Sequence, residues 1–381
     1  MHPAILHPWD GHQRRCRDGP QPGLRAGGAR ARRWWRCRPG PGGHRQCARS
    51  FGHAPSLRAN LRAPGHRREP IPLFPGPESQ ALLRRISQRC QRTLARPAII
   101  RGTGFLTGRD ISVRFLPSPA GSGIEFVRTD LPGRPSVPAH VSRVTGTARR
   151  TTLGGEQGVS LVEHVLAALA AHLVDNCVIE IDAPEPPGLD GSCQGFVELL
   201  AEAGTRTLPA PRYSYGVEKL VTVSAGNASL TLHPADSAEL TITYMLDYGS
   251  SSPIPRQIHT HQFSTGEFIR RIAPCRTFLL SGEVDAFRSQ GLGSKTSFKD
   301  LLVFGPSGVV GNRLRFGDEP ARHKVLDILG DMALVGFDIA GHVVACRSGH
   351  PLNVALGRQL VSMAAAERPS SFIDRRFLRS A

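Results

Sequence analysis

The chain of 381 residues is long enough for two ordinary domains, each with its own apolar core. Its formal net charge of +17 is concentrated in the first 70 residues, which contain fifteen arginines, no lysine and three acids. No run of about 18 or more apolar residues occurs, so the sequence predicts no transmembrane helix.

Residues 1–88 form a basic N-terminal extension that lacks apolar periodicity, and its composition predicts disorder. Three interpretations compete: a nucleic-acid-binding arm, an organelle-targeting segment, and sequence upstream of the true start. We favour the third, because the segment has neither the serine-rich amphipathic pattern of a transit peptide nor the apolar stretch of a secretory signal. An arginine-rich arm stays open as the alternative. Residues 366–381 form a second basic tail.

The five cysteines after residue 70 are odd in number and widely spaced. This pattern is typical of reduced thiols and not of a disulfide framework. The sequence therefore predicts a cytoplasmic protein.

From about residue 91 the sequence alternates between strand-like and turn-like segments. Residues 111–115 alternate apolar and polar side chains, which predicts a half-buried strand. Residues 98–101 and 124–128 predict further strands, and residues 176–181 a buried one. A helix is predicted at residues 196–203.

Residues 160–171 predict a strong helix whose first turn carries polar side chains. Ser160 and Glu163 have the spacing of a capping box, so capping is the conservative interpretation of Glu163. His164 follows directly, and an ordinary first-turn histidine is the alternative to a role in a site.

The second half repeats this order of elements. Strands are predicted at residues 215–223, 228–233, 239–244 and 343–346, and helices at residues 318–334 and 352–364. We infer an α+β fold built by internal duplication, with domain I at residues 89–212 and domain II at residues 213–365. In each domain a small sheet packs on helices, so the polar helix faces of the two domains could meet across a cleft.

The predicted helix at residues 318–334 places three polar side chains on one face. Asp318 and Pro320 favour its start. His323, Asp327 and Asp331 follow at spacings of four residues, so they stack one turn above another. A solvated or hydrogen-bonded helix face is the alternative to a metal site.

If the polar faces meet, His164 becomes a third ligand beside His323 and Asp327. Two imidazoles and a carboxylate with an open position form a catalytic ligand set, because structural zinc sites are usually closed by four protein ligands. Glu163 would then lie near a reacting water as a general base. His350, in a glycine-containing turn, could protonate the leaving group, although a simple loop histidine is the alternative.

A series of motifs follows in a fixed order at residues 160–169, 175–176, 190–192, 273–278, 288–292, 315–316, 322–327, 330–331 and 348–350. In these motifs, the chain from about residue 92 to residue 360 resembles the UDP-3-O-acyl-N-acetylglucosamine deacetylases, the zinc amidases of lipid A biosynthesis. The resemblance implies two domains of similar α/β topology with the active site between them.

The resemblance also implies roles for individual residues. His164, His323 and Asp327 would bind Zn²⁺. Glu163 would be the general base that activates water against the acetamide carbonyl, and His350 the general acid.

Five further positions carry implied roles. Asp331 would hold the general acid protonated, and Thr277 would donate a hydrogen bond to the developing oxyanion. Phe278 would line the sugar-nucleotide site, and Lys324 and Arg347 would face the diphosphate.

The sequence departs from the family pattern at several points. Leu106 stands where a histidine is usual, Arg347 where a lysine is common, and residues 294–296 replace a more usual glycine-containing turn. Either cation at position 347 suits phosphate.

These expectations describe a monomeric, cytoplasmic zinc hydrolase that removes the acetyl group from a UDP-linked acylated amino sugar, an early committed step of lipid A biosynthesis. No nucleic-acid partner is expected. The alternatives are a zinc amidohydrolase acting on another N-acetyl sugar and a basic nucleic-acid-binding protein with incidental histidines. Metal content separates the last of these from the others.

Overall fold

The computed structural model describes residues 83–284 and 300–366 and the single positions 293, 295, 297 and 298. The predicted extension up to residue 82, the tail after residue 366, the motif at residues 288–292 and part of the turn at residues 294–296 lie outside the described residues. Within the described ranges, no helix combines the length and hydropathy that crossing a membrane requires.

The described strands are β1 (Leu83–Leu94), β2 (Ala98–Thr103), β3 (Asp110–Pro117), β4 (Ile124–Arg128), β5 (Ser136–Pro138), β6 (Val144–Gly146), β7 (Thr152–Leu153), β8 (Val159–Ser160), β9 (Cys177–Ile181), β10 (Thr205–Val217), β11 (Val221–Ala225), β12 (Ala228–His233), β13 (Leu240–Leu246), β14 (Gln257–Gln262), β15 (Phe278–Leu280), β16 (Leu302–Gly305), β17 (Gly308–Val309), β18 (Asp338–Ile339) and β19 (Gly341–Cys346). The α-helices used below are α1 (Glu163–Ala171), α2 (Gln194–Ala203), α3 (Thr265–Arg271), α4 (Glu319–Met332) and α5 (His350–Ala366). Short 3₁₀ helices occupy Val141–Arg143, Gly155–Gln157 and Ala333–Val335.

Two five-stranded sheets share one pattern of strand order and direction, and the mixed content makes the fold α+β. The first sheet has the order β2-β3-β9-β4-β5, and the second has the order β11-β12-β19-β13-β14. In each, the central strand is antiparallel to one neighbour and parallel to the other. Helices α1 and α4 precede these central strands, and α2 and α5 follow them.

A long antiparallel pair, β1 with β10, runs alongside these sheets. Its register extends from Leu83 opposite Val217 to Leu94 opposite Thr205. Strand β1 therefore begins inside the predicted extension, and β10 crosses the predicted domain boundary after residue 212. Both ends of β1 are buried, which anchors the strand to the core.

Helices α1 and α4 pack closely because a glycine lies at their crossing. A Cβ atom at Gly330 would lie 2.1 Å from the carbonyl oxygen of Glu163, so only glycine fits there. The apolar faces of the two helices enter the core through residues such as Leu166 and Leu326, both fully buried. This close approach positions the polar residues of both helices side by side.

The capping box predicted at Ser160 is wrong. Ser160 belongs to β8, and its hydroxyl lies 2.9 Å from the hydroxyl of Thr152. Leu161 adopts a left-handed φ of 57°, which separates this strand from the helix, and Val162 occupies the N-cap position without a side-chain cap. Glu163 is thereby free to point into the site.

Two further predictions of local structure differ from the fold. The single strand predicted at residues 215–223 is the end of β10, a turn and the start of β11. Asp318 occupies the N-cap position of α4 as predicted, but its carboxylate makes no cap hydrogen bond. It accepts hydrogen bonds from Arg322 and His259 instead.

Candidate active site

His164 on α1 and His323 and Asp327 on α4 converge in the structure. The Nε2 atoms of His323 and His164 lie 3.4 Å and 3.9 Å from Oδ1 of Asp327. One donor atom from each of the three residues lies within 4.8 Å of the others. The imidazole centroids are 5.1 Å apart and the rings are nearly perpendicular, at 80°. Three donors thus surround one point, as a single bound cation requires.

The donor set is suited to a divalent cation. The backbone carbonyl of Cys275 lies 3.1 Å from Nδ1 of His323, so Nδ1 carries the proton and Nε2 is left to bind a metal. Burial lowers the pKa of His164 to about 3 and lowers the pKa of His323, so both imidazoles are neutral. For Asp327, burial would raise the pKa, but Lys324 and His323 outweigh it and hold the pKa well below its usual value. Neutral nitrogen ligands with one carboxylate are a common zinc donor set.

Glu163 and His350 are the first residues of α1 and α5, and they lie beside this cluster. His350 Nε2 is 3.9 Å from Oε1 of Glu163, and both side chains are buried. Burial raises the pKa of Glu163 to about 7, with Asp331 and Asp327 adding to the effect and His350 opposing it. At neutral pH the carboxylate is therefore poised to exchange a proton.

Asp331 fixes His350 from the opposite side. Nδ1 of His350 donates to Oδ2 of Asp331 at 2.8 Å. The same oxygen accepts the side-chain amide of Asn353 at 2.8 Å, and Oδ1 accepts the hydroxyl of Thr151 at 2.6 Å. Burial would lower the pKa of His350, but Asp331 and then Glu163 outweigh it and raise the pKa to about 9. His350 is therefore protonated at neutral pH.

The remaining predicted site residues line the same cavity of about 470 Å³ as the metal cluster. Lys324 Nζ donates to Oδ2 of Asp327 at 2.8 Å and lies 5.7 Å from the ring centroid of Phe278. Arg347 pairs with Asp247 at 2.6 Å. Thr277 is held by its backbone N–H, which donates to Gly191. Nine of the ten predicted site residues thus line one cavity, and the tenth, Asp331, is fully buried behind His350 and contacts it.

A comparison with known protein families matches one family to most of the residues described above. The family model described as UDP-3-O-acyl N-acetylglycosamine deacetylase covers residues 91–362. The chain belongs to this deacetylase family. Proteins named UDP-3-O-acyl-N-acetylglucosamine deacetylase from Nostoc sp. and from Thermosynechococcus vestitus are 38% and 40% identical to it, over 72% and 71% of this chain and 99% and 93% of theirs. A protein of the same name from Chlamydia abortus is 37% identical, over 72% of this chain and 98% of its own.

Two residues beside this cluster, Thr151 and Asn353, were not predicted from the sequence. Thr151 contacts both carboxylates, through its hydroxyl to Asp331 and through its backbone N–H to Glu163 at 3.1 Å. Asn353 lies one turn after His350 in α5, so helical spacing could have indicated it. Thr151 follows Arg150 in a loop with no periodic pattern, and only tertiary contact identifies it.

Leu106, where the sequence analysis expects a histidine, also lines the cavity. Its backbone N–H donates to the carboxylate of Glu185, with the two oxygens at 2.9 and 3.0 Å. The loop is therefore held by its backbone, and the side chain of Leu106 contributes an apolar surface to the cavity.

Proposed function

We propose that this chain hydrolyses the N-acetyl group of UDP-3-O-acyl-N-acetylglucosamine and releases acetate, the early committed step of lipid A biosynthesis. The observation that carries this proposal is that the Glu163 carboxylate and the His350 imidazole lie 3.9 Å apart next to the three-donor cluster, with the pKa of each side chain raised. A carboxylate whose pKa lies near neutrality, beside an imidazolium that keeps its proton at that pH, is suited to water attack followed by protonation of a leaving amine. The relatives that carry this name support the choice of substrate.

His164, His323 and Asp327 would hold the cation, which we propose to be zinc. When bound, a zinc ion would supply Lewis-acid polarisation of the amide carbonyl and would lower the pKa of water.

The protein side chains then supply the proton transfers. Glu163 accepts a proton from the water that attacks the carbonyl carbon. As the C–N bond breaks, His350 donates its Nε2 proton to the amide nitrogen, and acetate and the free amine result. Asp331 accepts from Nδ1 of His350 and keeps this imidazole charged until transfer. Thr277 would donate a hydrogen bond to the carbonyl oxygen as negative charge develops there.

We assign the substrate side of the cavity to three residues. Phe278 would line the sugar-nucleotide site, and Lys324 and Arg347 would face the diphosphate. Arg347 can attract a diphosphate although it pairs with Asp247. This ion pair is partly exposed, and solvent weakens it. Lys324 would be shared between Asp327 and the substrate.

We also propose that the α+β fold arose by internal duplication, with the active site in the cleft between the helix layers of two domains, residues 89–212 and 213–365. The identical strand order of the two five-stranded sheets supports this proposal. We further propose that the enzyme is cytoplasmic and monomeric and has no nucleic-acid partner. Basic segments at residues 1–88 and 366–381 flank its two domains.

The test is acetate release from UDP-3-O-acyl-N-acetylglucosamine by the purified full chain. UDP-N-acetylglucosamine without the acyl group and an unrelated N-acetyl sugar are the matched controls. We expect turnover of the acylated nucleotide, loss of turnover after chelation, and recovery on addition of zinc. Equal rates on the unrelated sugar, or no turnover of any of the three, would contradict the proposal.

A further inference from the structure

Arg150 differs from the other cations on the cavity wall. Four arginine and lysine residues of the described chain line this cavity, and three have an anionic partner: Arg149 pairs with Glu283 at 2.6 Å, Lys324 with Asp327 and Arg347 with Asp247. Among the described residues, Arg150 has neither a side-chain hydrogen bond nor an ion pair, and its Nε atom is buried without an acceptor.

A buried Nε–H without an acceptor in this position requires a physical explanation. Arginine stays charged at every accessible pH, and a buried donor without an acceptor costs stability. Such a cost is removed when an anion enters, because the guanidinium fork matches the two oxygens of a carboxylate or a phosphate. The cavity is large enough to admit such a ligand beside the metal cluster.

We infer that Arg150 binds an oxyanion in this cavity. The inference rests on the proposed function, which offers two sources of that chemistry: the carboxylate of the acetate released and the diphosphate of the substrate. The position of Arg150 in the chain favours acetate over the diphosphate as the ligand. The next residue, Thr151, donates its backbone N–H to Glu163 and its hydroxyl to Asp331, so Arg150 is anchored beside the acid–base pair. The diphosphate, by contrast, already has Lys324 and Arg347 assigned to it.

The test measures binding and not turnover, on the metal-loaded full chain. Dissociation constants for acetate and for UDP are determined by titration calorimetry for the wild type, Arg150→Gln and Arg150→Lys. Arg149→Gln is the matched control, because it removes the same charge from the neighbouring position, where the guanidinium is already paired. A thermal melt of each variant confirms that it is folded.

We expect Arg150→Gln to weaken acetate binding about tenfold or more and to leave UDP binding unchanged, since a hydrogen bond to a charged group is lost. Arg150→Lys should recover part of this loss, and Arg149→Gln should bind acetate as the wild type does. Weakened UDP binding with unchanged acetate binding would support the oxyanion site and identify the diphosphate as its ligand. Unchanged constants for both ligands in folded Arg150→Gln, or a wild type that binds neither ligand, would overturn the inference. A wild type that binds both ligands but releases no acetate from its substrate would instead contradict the proposed function.

Discussion

The Nδ1 atom of His350 lies 2.8 Å from Oδ2 of Asp331, and both side chains are buried. The carboxylate also accepts hydrogen bonds from Thr151 and Asn353, so its orientation toward the imidazole is fixed. An imidazole held in this way keeps its proton well above neutral pH. This pair therefore determines the alkaline limit of the reaction if His350 is the general acid.

Replacing Asp331 with Asn should move the alkaline limb of the kcat/KM profile to lower pH. Burial would lower the pKa of His350, but the charge and hydrogen bond of Asp331, followed by the charge of Glu163, raise it to about 9. A general acid works only while protonated, so the wild-type rate should fall as pH rises through about 9. Without the charge, the fall should come at least about one pH unit earlier, which corresponds to about 1.4 kcal/mol. If Asp331→Asn binds metal normally and its alkaline limb lies at the same pH as that of the wild type, His350 is not the titrating acid.

Replacing His350 with Ala tests the same role by rate. General acid catalysis contributes about a hundredfold or more, so the variant should lose about that factor in kcat. Metal content, measured in parallel, should match the wild type, since His350 is not among the proposed ligands. Retention of more than about a tenth of the rate would mean that another group protonates the amine.

Removing the hydroxyl of Thr151 should impair catalysis, while Thr151→Ser should restore it. In Thr151→Val, Oδ1 of Asp331 loses its 2.6 Å donor and stays buried, which costs about 1–3 kcal/mol. We expect a lower kcat with little change in KM, because Thr151 acts through Asp331. Steady-state kinetics of both variants, with their melting temperatures, checks this. Equal rates in the Val and Ser variants would rule out a role for the hydroxyl.

Replacing Gly330 with Ala should destabilise the fold. The added Cβ would meet the backbone of Glu163 at 2.1 Å, and backbone cannot move aside as a flexible side chain can. Overpacking of this kind costs about 1–3 kcal/mol and should separate α1 from α4. Gly317→Ala is the matched control, since a Cβ there meets no described atom within 4 Å. Similar melting temperatures for the two variants would show that the helix crossing tolerates a methyl group.

Much of the fold and the site could be predicted because the signals are local. The polar face of α4 follows from helical spacing alone, and the alternation in β3 is clear in the sequence. Strand β14 was missed because the side chains that it buries are His259 and His261, so no apolar alternation marks it. Helix α3, seven residues long, was missed as well.

The missed features of the site depend on contacts between distant segments. The spacing of Ser160 and Glu163 favours a capping box, but strand pairing of Ser160 overrides that local preference. Thr151 lies 180 residues from Asp331 in sequence, and no spacing rule links them. The approach of α1 to α4 depends on Gly330, whose role appears only when the two helices are in contact.

The central claim is that His164, His323 and Asp327 hold a catalytic metal while Glu163, the neighbour of one ligand, does not. Metal content measured by mass spectrometry, together with acetate release, for Asp327→Ala and Glu163→Ala tests this claim directly. Asp327→Ala should lose most of its metal, because one of three protein ligands is removed. Glu163→Ala should keep its metal and lose turnover. Equal metal loss in the two variants, or full metal content in Asp327→Ala, would contradict the account.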